Sequence, residues 1–146
     1  MPKNSAVVRS PDVTLNLLNR ALHLEYSMIV HYPRLANSVG DEDTRRLINE
    51  LGSASIAHAD AVADVIKALG GRPDWSFEPF PSGKDLVTIM RTQLGNEKRA
   101  LEFHHQAAEA TEDASISARF IAMAREEEDH IRTVEKILRN LSATQK

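Results

Sequence analysis

The sequence predicts an all-α protein, an antiparallel four-helix bundle in which one long connection crosses between the second and third helices. Three observations support this fold class. Four segments of roughly 25 residues are rich in Leu, Ala and Glu, apolar residues recur along them at steps of three and four, and no stretch alternates as a strand does. A chain of 146 residues is long enough for one such domain and short for two.

Turn-forming residues set the boundaries of the four segments. The first segment follows a tail at 1–11 and begins at a Ser-Pro-Asp helix-start signal, and short turns occur at 39–43 and 110–115. The crossover expected at 70–84 contains three of the six prolines and three of the six glycines. The whole chain, 1–146, is then a single domain with no fifth helix.

Composition excludes several classes of function. The chain has no cysteine, which rules out disulfides, thiolate zinc sites and iron–sulfur clusters and indicates a cytoplasmic location. A net charge of −3, from 18 basic and 21 acidic residues, provides no field for nucleic acid. No apolar run approaches the roughly 20 residues of a membrane span, and the first residues lack the apolar core of a signal peptide. We therefore expect neither nucleic acid nor membrane as a partner.

Two polar residues interrupt the apolar stripe of the fourth segment. The stripe passes through Glu127 and His130, which stand within and just after a run of four acids. Helical spacing therefore predicts that these two residues face the core. Glu126, Glu128 and Asp129 are expected to face solvent.

The other three segments carry the same kind of interruption. Glu25 lies on the apolar stripe of the first segment, His58 on that of the second and Glu97 on that of the third. An ionised carboxylate in a bundle core costs several kcal/mol unless it is paired or bound to a metal. Carboxylates and imidazoles that meet inside a bundle are typical of a divalent iron, manganese or zinc site.

A repeat of 72 residues relates the two halves of the chain. The core glutamates of the first and third segments are 72 residues apart (97 − 25), and so are the core histidines of the second and fourth (130 − 58). Two similar helical hairpins related by a pseudo-twofold axis would bring these four side chains together. One position breaks the repeat, because Glu127 corresponds to Ser55 and not to an acid.

These residues resemble the metal-binding pattern of the ferritin-like superfamily, and of the bacterioferritins most closely. The family pattern is a Glu on the first helix, Glu-x-x-His on the second, a Glu on the third and Glu-x-x-His on the fourth. It appears here, within residues 12–141, as Glu25, His58, Glu97, Glu127 and His130. Tyr32, seven residues beyond Glu25, matches a tyrosine that bacterioferritins keep beside the site. Glu127 and Tyr32 are the candidates for a catalytic role.

The resemblance implies a site that binds two ferrous ions and oxidises them, which is ferroxidase activity in the service of iron storage or detoxification. Carried over residue by residue, Glu25 and His58 hold one ion. Glu97 and His130 hold the other, and Glu127 bridges the two. Iron, two ions per chain, is the expected cofactor, and manganese or zinc suits the same donors.

Three features depart from the family pattern. Ser55 replaces the second-helix glutamate that bridges the two metals, so we expect a weaker first site, asymmetric occupancy and slower oxidation. Ile56 stands where a haem-ligating methionine would be, so no haem of that kind is expected. The chain ends soon after Leu141, without the fifth helix of 24-subunit cages, so the expected homo-oligomer is a dimer or a smaller shell.

Several roles stay open at the level of the sequence. His104, seven residues after Glu97, is either an outer ligand of the site, a partner of its ligands, or a core histidine with no such role. His23, His31 and His105 lie off the stripes and are expected at a surface or interface.

Two other functions also fit the pattern. One is a di-iron or manganese redox enzyme that acts on peroxide or a small substrate without storing mineral. The other is a non-catalytic bundle whose degenerate site binds one structural metal or none.

Overall fold

Four α-helices make up the protein in a computed structural model that describes residues 11–144. In chain order they are α1 (Pro11–Asn37), α2 (Glu42–Ala68), α3 (Leu86–Ala110) and α4 (Ala114–Thr144). Residues 11–144 contain no strand, so the predicted all-α four-helix fold is confirmed. None of the helices described here is long and apolar enough to span a membrane. Apart from Pro11, the predicted tail lies outside the described residues.

The helices pair as two hairpins. α1 packs along α2 and α3 packs along α4, and the hairpins meet through contacts of α1 with α3 and of α2 with α4. Short loops at 38–41 and 111–113 close the hairpins, and residues 69–85 form the crossover between them. At the start of the crossover, Gly70 adopts a φ of 84°, a left-handed conformation that favours glycine.

Two apolar clusters lie at opposite ends of the bundle, and every helix contributes to both. The first cluster contains, among others, Met28, Leu35, Ile48, Leu51, Met90, Val134 and Ile137. The second contains, among others, Leu18, Leu22, Val62, Ile66, Phe120 and Met123. Each helix also carries buried polar residues near the level where the two clusters meet, among them Glu25, His58, His104 and Glu127, and these form a polar layer at mid-bundle.

Acidic side chains begin α2 and α3. Asp41 Oδ2 accepts a hydrogen bond of 2.9 Å from the amide of Thr44, and Asp85 Oδ1 accepts one of 2.8 Å from the amide of Thr88. Each carboxylate thus satisfies a helix N-terminal N–H group that has no partner within the helix. The side-chain and backbone hydrogen bonds of Thr44 lower the pKa of Asp41, and those of Thr88 lower the pKa of Asp85.

We expect Asp41→Ala to lower the Tm at neutral pH by a few degrees, because α2 loses its cap. The folded-state pKa of Asp41 is depressed. The stabilisation is therefore present above the unfolded pKa and disappears as the pH falls through the folded pKa. In thermal denaturation, the Tm difference between the wild type and Asp41→Ala should narrow as the pH falls below the ordinary pKa of an aspartate. Asp41→Asn keeps an acceptor and should lose little stability at neutral pH. A gap for Asp41→Ala that stays constant with pH would contradict this.

Candidate metal centre

The structure brings all five residues predicted to bind metal together in the polar layer at mid-bundle. The carboxyl groups of Glu25, Glu97 and Glu127 are fully buried, His58 is 2% exposed and His130 is 11% exposed. Each helix supplies at least one of them because each stripe carries a polar residue at the same level. These side chains point into the core, as predicted. Their role as metal ligands stays a prediction.

The donor atoms form two groups that share Glu127. Within each group, one candidate ligand atom per residue lies within 4.8 Å of all the others. The first group is Glu25, His58, His104 and Glu127, and the second is Glu97, Glu127 and His130. The first group thus contains His104, whose role the sequence left open.

The donors of the first group lie around a small closed ring. His58 Nδ1 is 2.8 Å from Glu127 Oε1 and 3.4 Å from Glu25 Oε2. His104 Nε2 is 3.0 Å from Glu25 Oε2 and 3.7 Å from Glu127 Oε1. Two imidazole nitrogens therefore alternate with two carboxylate oxygens, an arrangement that gives each nitrogen two acidic neighbours.

The second group is more open and has a tyrosine behind it. His130 Nδ1 lies 3.7 Å from Glu97 Oε1 and 3.5 Å from Glu127 Oε2, and both distances exceed those of ordinary hydrogen bonds. The buried hydroxyl of Tyr32 donates a hydrogen bond of 2.7 Å to Glu97 Oε2. This bond occupies one oxygen of Glu97 and leaves the other facing His130.

Buried polar atoms without a hydrogen-bond partner are concentrated at this centre. Among the described residues they are Glu25 Oε1, Ser55 Oγ, Glu97 Oε1, His104 Nδ1, Glu127 Oε2 and His130 Nδ1. A buried donor or acceptor that stays unpaired costs about 1–3 kcal/mol. Carboxylate oxygens and imidazole nitrogens are the donors that divalent iron, manganese and zinc use in proteins. The residues present therefore fit such an ion.

Burial and close contact set the protonation of the cluster. Burial acts to lower the pKa of His58, but contacts with the buried carboxylates, Glu127 first, outweigh it and raise the pKa to about 11. The same balance raises the pKa of His130 to about 10. Burial raises the pKa of Glu97 well above its ordinary value. Although burial also acts to raise the pKa of Glu127, contacts with three histidines hold it well below its ordinary value. Without a metal, the raised pKa values of His58, His130 and Glu97 favour their protonated forms, and a cation bound to these atoms would have to displace the protons.

Glu126 makes a contact with the centre that helical spacing did not predict. Its side chain is 60% exposed, yet Oε1 lies 2.6 Å from Nε2 of the buried His58. Glu126 is thus exposed as predicted, as are Glu128 and Asp129, but its contact with His58 was not predicted. Spacing missed this contact because it gives the direction of the Cα–Cβ bond and not the reach of a long side chain. With an acid near each nitrogen, the orientation of His58 is fixed from both sides.

One of the histidines outside the stripes corrects a prediction, because His31 was expected at a surface or interface. His31 is only 3% exposed, its Nε2 lies 2.7 Å from the carbonyl oxygen of Glu78, and its ring meets that of Phe80 edge-on at 5.7 Å. The crossover covers this part of α1, and a helical period cannot reveal the path of a distant loop. His23 is partly exposed and contacts the Glu78 side chain, and His105 is exposed.

The two positions that depart from the family pattern face in opposite directions. Ser55 is fully buried on the inner face of α2, three residues before His58. Ile56 is 49% exposed. The inner face of α2 thus presents a hydroxyl, and no carboxylate, one turn before its histidine.

Replacing Tyr32 with Phe is expected to lower the free energy of unfolding by about 1–3 kcal/mol, because a buried oxygen of Glu97 loses its donor. Urea denaturation of the metal-free protein measures the loss. Tyr26→Phe is the matched control, because Tyr26 lies on the same helix and packs edge-on against Trp75 at 5.3 Å, at a partly exposed site. That control should change stability by less than about 0.5 kcal/mol. Equal losses in the two variants would argue against the Tyr32–Glu97 bond.

Known proteins share this fold. The ferritin-like domain family matches residues 15–144. A ferritin-like diiron-carboxylate protein from Bacillus anthracis is 20% identical, with 88% of this chain and 96% of that chain covered and a TM-score of 0.79. A dodecameric thioferritin from Bacteroides fragilis, a bacterioferritin-related protein, is 20% identical, with coverage of 97% and 92% and a TM-score of 0.79. A Desulfovibrio desulfuricans bacterioferritin with a diiron site is 22% identical, with coverage of 91% and 82% and a TM-score of 0.77. At these identities the solved structures show the fold alone.

The resemblance seen in the sequence is thus confirmed at the level of the family, with bacterioferritins among the structural neighbours. Since the match spans most of the chain and includes all four helices, the protein belongs to the ferritin-like domain family.

Proposed function

We propose that the protein binds two divalent metal ions, with ferrous iron as the main metal, and oxidises ferrous to ferric iron for storage or detoxification. One observation carries this proposal. Carboxylate and imidazole donors from all four helices converge in a solvent-excluded layer where several of their atoms have no hydrogen-bond partner. A pair of cations satisfies those atoms at once, whereas a purely structural bundle gains nothing from burying them.

Each donor has a role in this proposal. Glu25 and His58 would hold one ion, Glu97 and His130 would hold the other, and Glu127, the member common to both groups, would contribute to both. Iron bound there supplies the electrons that reduce oxygen or peroxide.

The surrounding residues position these donors. Tyr32 holds Glu97 through its hydrogen bond of 2.7 Å, and Glu126 holds Nε2 of His58 so that Nδ1 faces the centre. Such outer contacts fix both the tautomer and the direction of a ligand.

Charge balance favours a hydroxide or another small anion beside the ions. Two divalent cations bring four positive charges, and the buried carboxyl groups of Glu25, Glu97 and Glu127 supply at most three negative ones. Because Ser55 lacks the fourth, the remainder falls to an exogenous anion. The two cations would therefore keep at least one positive charge that the protein does not neutralise. This leaves a place for a small anion in a centre that reacts with oxygen or peroxide.

We also infer that the chain assembles with copies of itself. The Bacteroides fragilis protein of the same fold is dodecameric, and this chain exposes large apolar side chains at Ile56, Trp75, Phe77 and Ile121. A dimer suits turnover of iron, whereas mineral storage needs a closed shell. Sedimentation velocity, together with the iron retained per chain after aerobic loading, separates these two uses of the same site.

Iron stoichiometry tests the proposal directly. The protein is stripped of metal and titrated with ferrous iron without oxygen, and we expect two bound ions per chain, followed in air by a ferric absorbance rise that is faster than in buffer. Glu127→Gln removes the shared carboxylate, so it should bind at most one ion tightly and oxidise iron at least about tenfold more slowly. Glu128→Gln makes the same change at the exposed neighbour and should behave as the wild type.

A wild-type protein that binds no ferrous iron, with oxidation no faster than in buffer, would overturn the proposed function. Thermal denaturation of both variants separates a lost ligand from a lost fold.

A further inference from the structure

We propose that His104 is a metal ligand of the first donor group, where it takes the place of the carboxylate that Ser55 does not provide. This inference rests on the proposed function, because it concerns which residues hold the ion nearest Glu25 and His58. The family pattern of Glu and Glu-x-x-His residues does not include a histidine at this position of the third helix.

The surroundings of His104 point to this role. Its side chain is fully buried on α3, and Nε2 lies 3.0 Å from Glu25 Oε2 and 3.7 Å from Glu127 Oε1. Its ring also lies 5.6 Å from the ring of His58 and 5.8 Å from that of Phe120. The polar contacts of His104 are thus made to two candidate ligands, and its aromatic neighbours are His58 and Phe120.

The spacing of the four donor atoms suits one small cation. Around the ring of Glu25 Oε2, His58 Nδ1, Glu127 Oε1 and His104 Nε2, the adjacent distances are 3.4, 2.8, 3.7 and 3.0 Å. Four donors at about 2.0–2.1 Å from a tetrahedral ion lie about 3.3 Å from one another. Without His104 the group has three donors, and with it the group is complete.

The internal repeat gives a second, independent reason. His104 is 72 residues from Tyr32 (104 − 32), and the two side chains cross the bundle in opposite directions. Tyr32 of α1 bonds Glu97 of α3 at 2.7 Å, whereas His104 of α3 reaches Glu25 of α1 at 3.0 Å. The phenol of Tyr32 donates a hydrogen bond, but an imidazole at the matching position also offers a lone pair to a metal.

The two donor groups then differ in chemistry. The first offers two imidazole nitrogens and two carboxylates, and the second offers one imidazole and two carboxylates, with Glu127 common to both. Nitrogen-rich sites of this kind bind late divalent ions of the first transition row more tightly than manganese. The first ion added therefore occupies the group that contains His104, and the second ion follows at lower affinity. This order reverses the weaker first site that the lack of an acid at position 55 predicts by itself.

Cobalt(II) serves as the probe because its visible absorption reports the ligands around it. In an equilibrium titration, His104→Gln should weaken binding of the first cobalt by about 100-fold or more and alter its visible bands. Binding of the second ion should change by less than about tenfold. His105→Gln is the matched control, because it makes the same change at the exposed neighbouring residue, and it should leave both steps and the spectrum unchanged.

Restoring the missing acid tests whether His104 and a carboxylate at 55 are equivalent donors. The double variant Ser55→Glu with His104→Gln should regain first-cobalt affinity to within about tenfold of the wild type. If His104 had only a structural role, a new ligand on a different helix would not restore the cobalt affinity lost in His104→Gln.

X-ray absorption of the wild type with one cobalt per chain needs no variant and should show two imidazoles per ion. It therefore decides the matter even if His104→Gln fails to fold.

The outcomes separate the inference from the proposed function. Two cobalt ions bound by the wild type, with a single imidazole on the first or with an unchanged first step in His104→Gln, would overturn the role of His104 and leave the metal centre standing. A wild type that binds no cobalt and no ferrous iron would overturn both.

Discussion

Three carboxyl groups without contact with solvent, at the level where all four helices meet, are the constraint on which the rest of the structure depends. Their burial is unfavourable unless cations or protons compensate it. Three histidines surround them, and two apolar clusters above and below hold the helices at a fixed spacing. Each fully buried Leu or Ile in these clusters contributes about 1.5–3 kcal/mol. The apolar ends of the bundle thus offset a polar centre that would otherwise push the helices apart.

A symmetric frame holds an asymmetric centre. The glutamates of α1 and α3 and the histidines of α2 and α4 follow the 72-residue repeat, and the structure places all four in one layer. Two pairs of corresponding positions at the centre differ between the halves: Ser55 corresponds to Glu127, and Tyr32 corresponds to His104. Ser55 supplies no carboxylate to either donor group, whereas His104 reaches Glu25 and adds a nitrogen to the first group. Both donor groups therefore keep carboxylate and imidazole donors although the two halves differ at these positions.

Helical periodicity was sufficient for the parts of this structure that depend on one helix at a time. The four helices and the inward direction of Glu25, Glu97 and Glu127 follow from steps of three and four along each stripe. Contacts between helices or with the crossover did not follow. The bond from Glu126 to His58 depends on side-chain reach, and the burial of His31 depends on where residues 69–85 pass. The stripe also continues through His104, but only the packed bundle shows which atoms its nitrogen meets.

His58 spans the wall of the bundle, with Nδ1 turned to the buried Glu127 and Nε2 turned to Glu126, whose side chain is 60% exposed. A cation that enters the centre has to expel the protons held there, and buried protons need an exit. The imidazole links interior and bulk water through one ring, so those protons can leave by a relay through Glu126 while the helices stay packed. Under the proposed function, the exposed Glu126 would thus give displaced protons a route from the centre to water.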